Sequence, residues 1–314
     1  MKYKIEKNTV QETLIIPLYA RKVCSELYPN LYQDETAVRL INEIDYDFSD
    51  ADKNARSLMQ RFGSLEVAMR QNDLAWEVRD YLKTHPNAAV VNLGCGLDST
   101  GRSCDNGSCK IYNLDFPDVI AVRNELLPAG EREENIPCDL NNTEWFRKID
   151  SSNGAVFFSS GVFYYFLTEQ VKALVQQMAD AFPGSVLVFD AANRTAVKMI
   201  AKTWLKSAKI KDVGAYFAVS DAQKEISPWN SRLKVTSRLV LRALEAGECL
   251  SAFKTPLSKV DLYNLHLHHS VTDPGEKTEK AADRRVFQIV VAQHISPAGD
   301  LQATVPQGKL TFCV

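Results

Sequence analysis

The chain has 314 residues, 45% of them hydrophobic, enough to fill one large core or two small ones. Its net charge of −2 excludes a nucleic-acid glove and a polybasic membrane-binding face. No apolar run approaches the ~20 residues that a bilayer needs, and the opening "MKYKIEKNTVQETLIIPLYARK" lacks a small-residue cleavage site, so a soluble protein without membrane or nucleic-acid partners is expected.

Residues 1–86 read as a helical region. "ETAVRLINEI" and "NDLAWEVRDYLKTHP" carry apolar residues at helical spacing, and Pro86 stops the second. Residues 87–193 alternate short apolar runs with helical stretches. "AAVVNLG", "KIYNLDF", "NIPCDL", "GAVFFSSG" and "SVLVFDA" are expected strands, and "TEQVKALVQQMADAF" (168–182) is a helix ended by Pro183 and Gly184. Strand alternating with helix implies βαβ units. The expected fold is therefore a single α/β domain: a doubly wound, mostly parallel sheet with an N-terminal helical cap. Residues 194–295 would complete it with a substrate cap and the last strands. Within them "RLKVTSRLVLRAL" and "RVFQIVVAQHI" are strand-like, and "TDPGEKTEKAADR" is a charged loop. Residues 296–314 fit no clear element. The seven cysteines (Cys24, Cys95, Cys104, Cys109, Cys138, Cys249 and Cys313) are odd in number and scattered, with no CxxC. That argues for a reducing cytoplasm over a disulfide framework. Cys104 and Cys109 flank the turn "DNGS" and are either a labile pair or two thiols beside a tight loop.

The chemistry centres on "VVNLGCGLDST", Val90 to Thr100. A buried strand runs into a turn in which Gly94 and Gly96 let the backbone approach a ligand closely. Nineteen residues after Gly96 the next strand ends in Asp115, placed to accept hydrogen bonds from both hydroxyls of a ribose. This is an adenosine-binding arrangement, shared by nicotinamide-dinucleotide enzymes and S-adenosylmethionine enzymes. A dinucleotide fingerprint, G-x-G-x-x-G, needs a third glycine where Ser99 stands; Gly101 comes two residues late, and no helix start with free amides follows at once. Adenosylmethionine carries no phosphate and does not need that glycine.

"VVNLGCGLDST" followed by "YNLDFPDVI" resembles the leucine carboxyl methyltransferase family, and more closely its bacterial branch related to polyketide O-methyltransferases. "ETLIIPLYARK", "YQDETAVRLINEIDYDF", "AMRQNDLAWEVRDYLKTHPNAAVVNLG", "CDLNNTEW" and "SSGVFYYFLTEQV" extend the resemblance over roughly residues 11–192. It implies a class I S-adenosylmethionine-dependent methyltransferase with a seven-stranded sheet. Gly94 and Gly96 would then lie against the methionine part of the cofactor, Asp115 at the ribose, and Asp139 with Leu140 at the adenine; Phe116, next to Asp115, is a further cofactor-binding candidate. Arg70 would pair with the cofactor carboxylate, a fit for a bidentate guanidinium; Arg21 is a second cationic candidate. Ser160 stands where the family often has glutamate, so it would bond the cofactor's ammonium without a charge. Asn92 replaces an acid that many class I methyltransferases carry.

The expected reaction is methylation of a hydroxyl or carboxylate on a small molecule. Two alternatives remain open on the sequence: a nucleotide-dependent oxidoreductase, and a cofactor-binding protein that has lost transfer. No residue stands out as a catalytic base. "HLHH" (His266, His268, His269) invites a metal reading that no neighbouring cysteine or carboxylate cluster supports, and no metal is expected. His266 or His268 facing the cleft is a further expectation. Tyr165, Trp204 and Trp229 are candidate pocket residues, with core packing as the alternative for each. Lysines 198, 202, 206, 209 and 211 of the same insertion either attract an acidic acceptor or form a solvated helix face.

Overall fold

The computed structural model describes residues 2–5, 10–199, 216–239 and 287–294. Trp204, His266, His268, His269, Cys249, Cys313 and the tail after residue 295 lie outside them.

The N-terminal region is helical, as its spacing predicts. A short parallel ribbon, β1 (Tyr3–Lys4) with β2 (Ile44–Asp45), flanks α1 (Val10–Leu27), α2 (Glu35–Glu43) and α3 (Ser49–Asn54). Asp34 caps α2 by accepting from the Ala37 amide at 2.8 Å, which satisfies one of the donors left free at a helix start. The long α4 (Leu58–Thr84) starts fourteen residues before the stretch whose periodicity announces it, with Ser57 as its N-cap. Its first half is buried on several sides: Leu65, Val67, Ala68 and Met69 are all in the interior, so no single apolar stripe shows in the sequence. It ends at Thr84, just before Pro86.

The main sheet has the order β5-β4-β3-β6-β7-β9-β8, from β3 (Ala89–Leu93), β4 (Lys110–Asp115), β5 (Glu133–Pro137), β6 (Ala155–Ser159), β7 (Val186–Ala192), β8 (Leu233–Leu239) and β9 (Phe287–His294). All neighbours from β5 to β7 are parallel; β9 runs antiparallel to both β7 and β8. The connecting helices are α5 (Thr100–Ser103), α6 (Pro117–Leu126), α7 (Thr168–Ala181), α8 (Arg194–Met199) and α9 (Ala222–Ile226).

A one-turn helix, α5, follows the glycine turn, and its first amide is not free but donates to the Asp98 carboxylate, Thr100 N to Oδ1 at 3.1 Å. One local expectation needs correction. The third strand runs Glu133–Pro137, ahead of the expected "NIPCDL", because it pairs in register with Ile111–Asp115 and proline ends its ladder.

Strand alternation distributes the core. Ala89, Val91 and Leu93 of β3 face Val171, Leu174, Val175 and Met178 of α7, while Val90 faces Leu74, Val78 and Leu82 of α4 on the opposite side. Leu14, Leu18 and Val23 of α1 form a third cluster with Leu40 and Ile41 of α2 and with Val119 and Val122 of α6. Helices α1, α2 and α4 are thereby seated around the carboxyl end of β3. The strand order reverses between β3 and its neighbours β4 and β6, the place where doubly wound sheets take their ligands.

Candidate active site

Two turns meet at that reversal. Gly94 (φ +70°) follows β3, and a Cβ on it would lie 2.5 Å from a methyl of Val162, just beyond β6. Only glycine relieves both the left-handed backbone and the close approach. The turn is pinned from beneath: the Gly94 and Cys95 amides both donate to the Leu114 carbonyl, at 2.8 and 2.9 Å. Asp115, at the end of β4, accepts from the Gly96 amide (2.7 Å) and the Phe116 amide (2.8 Å). Burial pushes its carboxyl up to about 6, although those two amides pull the other way. Phe116 is 41% exposed beside it.

Asp98, the aspartate after the glycine turn, was not singled out in the sequence for a role. Its carboxylate accepts from Gln71 Nε2 (2.5 Å), Asn92 Nδ2 (3.2 Å), Thr100 N (3.1 Å) and Thr100 Oγ1 (2.7 Å). Asn92 thus has a physical reason to be an amide: an acid there would face the Asp98 carboxylate. The network continues through Gln71 to Tyr32 and from Tyr32 to Asp34. Asp34 in turn holds Arg21 (Nε to Oδ2, 2.9 Å), whose Nη2 donates to the Leu97 carbonyl at 3.1 Å. Arg21 is therefore committed to tying α1 and α2 to the glycine turn. On the other side Arg123, fully buried in α6, donates to the Gly96 and Asp98 carbonyls at 2.9 and 2.8 Å.

A second ionic cluster lies by the turn after β6. Asp190 of β7 accepts from the Gly161 amide (2.7 Å) and the Tyr164 hydroxyl (2.8 Å), and forms an ion pair with Arg70, Oδ2 to Nη1 at 3.0 Å. Arg70 Nη1 donates its hydrogen bond to Glu66 Oε1, one turn earlier on α4, at 3.4 Å. A Cβ on Gly161 (φ +72°) would sit 3.3 Å from Arg70 Nη2, so the guanidinium underlies the Ser160–Gly161 backbone. Burial alone would depress Arg70, but Asp190 and Glu66 outweigh it and keep it charged. Glu66 is pushed up to about 7, chiefly by burial, with Arg70 opposing and Asp190 adding. Arg70 Nε is buried without a hydrogen-bond partner, an open donor at the place where a cofactor carboxylate is expected.

The remaining candidates separate. Leu140 is buried in the α7-side core, while Asp139 is exposed and closes an Asx turn onto the amide and side chain of Asn141, both at 2.9 Å. Ser160 is half-buried beside the Arg70 cluster. Tyr165 is 38% exposed on the rim, whereas its neighbour Tyr164 turns inward to Asp190. Trp229 packs against Phe217 (ring centroids 6.3 Å apart), and its carbonyl accepts from Gln176 of α7. Cys104 and Cys109 are separate free thiols, both buried. His85 precedes β3, and His294 pairs with the amino end of β7 through Ser185, so both lie at the far end of the sheet from the turns. Among the described residues no cluster suited to a metal ion occurs, and no helix is long and apolar enough to cross a membrane.

A parallel sheet with a glycine turn at its switch point, a strand-end acid beside it and a guanidinium across it defines a class I, Rossmann-like cofactor-binding fold. Residues 16–179 match the leucine carboxyl methyltransferase family model, and the chain belongs to that family of S-adenosylmethionine-dependent methyltransferases. It is 28% identical over 186 residues to the tetracenomycin polyketide synthesis O-methyltransferase TcmP of Streptomyces glaucescens, covering 58% of this chain and 66% of that protein. It is 25% identical over 255 residues to the S-adenosyl-L-methionine-dependent methyltransferase dpfgK of Gibberella zeae, covering 76% and 84%. The crystal structure of a DUF574-family protein from Streptomyces avermitilis shares the fold, with a TM-score of 0.52, 11% identity and coverage of 88% and 97%.

Proposed function

We propose that this chain methylates an oxygen, of a hydroxyl or a carboxylate, on a small apolar molecule. The observation that carries the reading is the meeting of the glycine turn, Asp115 and the buried Arg70 at the sheet reversal, with a rim of exposed apolar side chains beside it. Phe116 and Tyr165 stand at 41% and 38% exposure, with Leu167 at 54% and Tyr216 at 57%. Such a rim suits an apolar acceptor. The Tyr216 amide donates to the Tyr164 carbonyl, which holds this part of the rim to the turn after β6. TcmP, a polyketide O-methyltransferase by name, supports oxygen as the acceptor atom.

When bound, S-adenosylmethionine supplies a methyl group activated by its sulfonium. In this reading Asp115 holds the ribose hydroxyls, Leu140 and Phe116 border the base, and Arg70 holds the carboxylate. Gly94 and Gly96 bring the backbone close and exclude water. The protein's task is alignment. The acceptor oxygen forms its bond to carbon as the sulfur–carbon bond breaks, and the sulfur keeps the electron pair. A carboxylate acceptor has no proton to lose; a hydroxyl needs a proton acceptor. The free state of Cys24, Cys95, Cys104, Cys109 and Cys138 fits a reducing cytoplasm.

The test is incubation with methyl-labelled S-adenosylmethionine and a panel of apolar phenols and carboxylic acids. Transfer that is released as methanol by mild base identifies an ester; base-stable label identifies an ether. Binding of NADH in place of S-adenosylhomocysteine would instead support the oxidoreductase alternative. Tight S-adenosylhomocysteine binding without transfer to any oxygen would support a protein that binds and does not methylate.

A further inference from the structure

We propose that Glu66 is the carboxylate that receives the α-ammonium group of the cofactor in this chain, supplying the charge that Ser160 lacks. The proposal rests on the cofactor reading above and adds a residue to it. Glu66 and Arg70 are one turn apart on α4 with side chains 9% and 8% exposed, and Asp190 adds a third buried charge. One guanidinium between two carboxylates leaves a surplus negative charge in the interior. Asp190 is already served by the Gly161 amide, the Tyr164 hydroxyl and its ion pair with Arg70 Nη1. Glu66 accepts a long hydrogen bond, 3.4 Å, from that same Arg70 Nη1. An amino-acid zwitterion matches this arrangement, because its ammonium and carboxylate leave the same carbon. The ammonium neutralises Glu66, and the carboxylate meets the unpartnered Arg70 Nε.

A proton balance follows. The charged groups facing Glu66 are Arg70 on its own helix and Asp190 on β7, with the neutral Tyr164 hydroxyl close by; burial, with Asp190 adding to it and Arg70 opposing, holds Glu66 partly protonated near neutral pH. An ammonium binds the ionised form, so the Glu66 proton passes to solvent as the ligand enters, and no other bond changes.

The experiment is calorimetry at pH 7 on the whole protein, in two buffers of different ionisation enthalpy, with four ligands. S-adenosylhomocysteine has both charges, its decarboxylated analogue only the ammonium, its desamino analogue only the carboxylate, and 5′-methylthioadenosine neither. Wild type should release about half a proton with the two ammonium-bearing ligands and none with the others. Glu66→Gln should abolish that release and weaken those two ligands by roughly 10- to 100-fold. The other two should change less than about twofold, and retained methylthioadenosine binding shows that the variant is folded. Equal weakening of all four ligands, or an unchanged proton release, overturns the role of Glu66 while leaving the cofactor site intact. Failure of wild type to bind any of the four overturns both.

Discussion

The two buried ionic clusters beside the cofactor turns are built from the same materials and finished differently. In the Arg21 cluster Asp98 receives four donors, and Asp34 receives Arg21, the Tyr32 hydroxyl and the Ala37 amide. In the Arg70 cluster Asp190 has two hydrogen bonds and an ion pair, Glu66 accepts one long hydrogen bond from Arg70, and Arg70 keeps an unpartnered Nε. A buried charge with all its partners fixes a shape; one left short of partners is costly alone and gains when a ligand completes it. On the reading proposed above, the first cluster shapes the turn and the second receives the ligand.

Breaking the scaffold cluster should cost most. Arg21→Met leaves Asp34 without its counter-charge and should lower stability by about 3–5 kcal/mol. Thermal unfolding would read this as a fall of roughly 10 °C. Cofactor affinity measured well below the transition should stay within about threefold, a change of under 1 kcal/mol. A variant of unchanged melting temperature that no longer binds would instead return Arg21 to the ligand, as the sequence suggested.

Gly94→Ala tests the turn itself: the φ of +70° and the Val162 methyls 2.5 Å away should together cost about 2–4 kcal/mol. Adding Val162→Ala should recover the packing part and not the backbone part, so partial rescue in urea unfolding is the expected pattern.

Asn92→Asp would set two carboxylates about 3.2 Å apart, the present amide-to-Asp98 distance. The loss should be about 1–3 kcal/mol at neutral pH and should shrink towards pH 4 as the pair takes up a proton. A loss independent of pH would mean that packing at β3, and not charge, selects the amide.

The effect of opposite sign belongs to Glu66. Its carboxyl lies at about 7 in the fold against an ordinary 4.5, so the folded state holds more protons than the unfolded chain between those values. Stability from this group is therefore lost as pH rises from about 4.5 to 7. Glu66→Gln removes that loss. In the absence of ligand the variant should gain on wild type with rising pH, by about 3 kcal/mol at pH 8. Parallel stability curves for the two proteins would contradict the assignment of Glu66 as the unsatisfied partner.

Much of the fold was legible because it rests on local signals. Five apolar runs separated by helical stretches gave the parallel sheet, and the Pro183–Gly184 stop placed the end of α7 within a residue. The first half of α4 was not legible, since a helix buried on several sides shows no periodic stripe.

The sequence by itself determined the glycine turn and the acid nineteen residues on, because residue type and spacing carry that information, and its family resemblance pointed to the cationic candidates on two helices. Only the tertiary structure decided which groups each arginine pairs with. Arg21 meets Asp34 thirteen residues away and the Leu97 carbonyl seventy-six residues away, while Arg70 meets an aspartate on β7. Those partners come together through the order in which strands enter the sheet, and no local pattern in the chain records it.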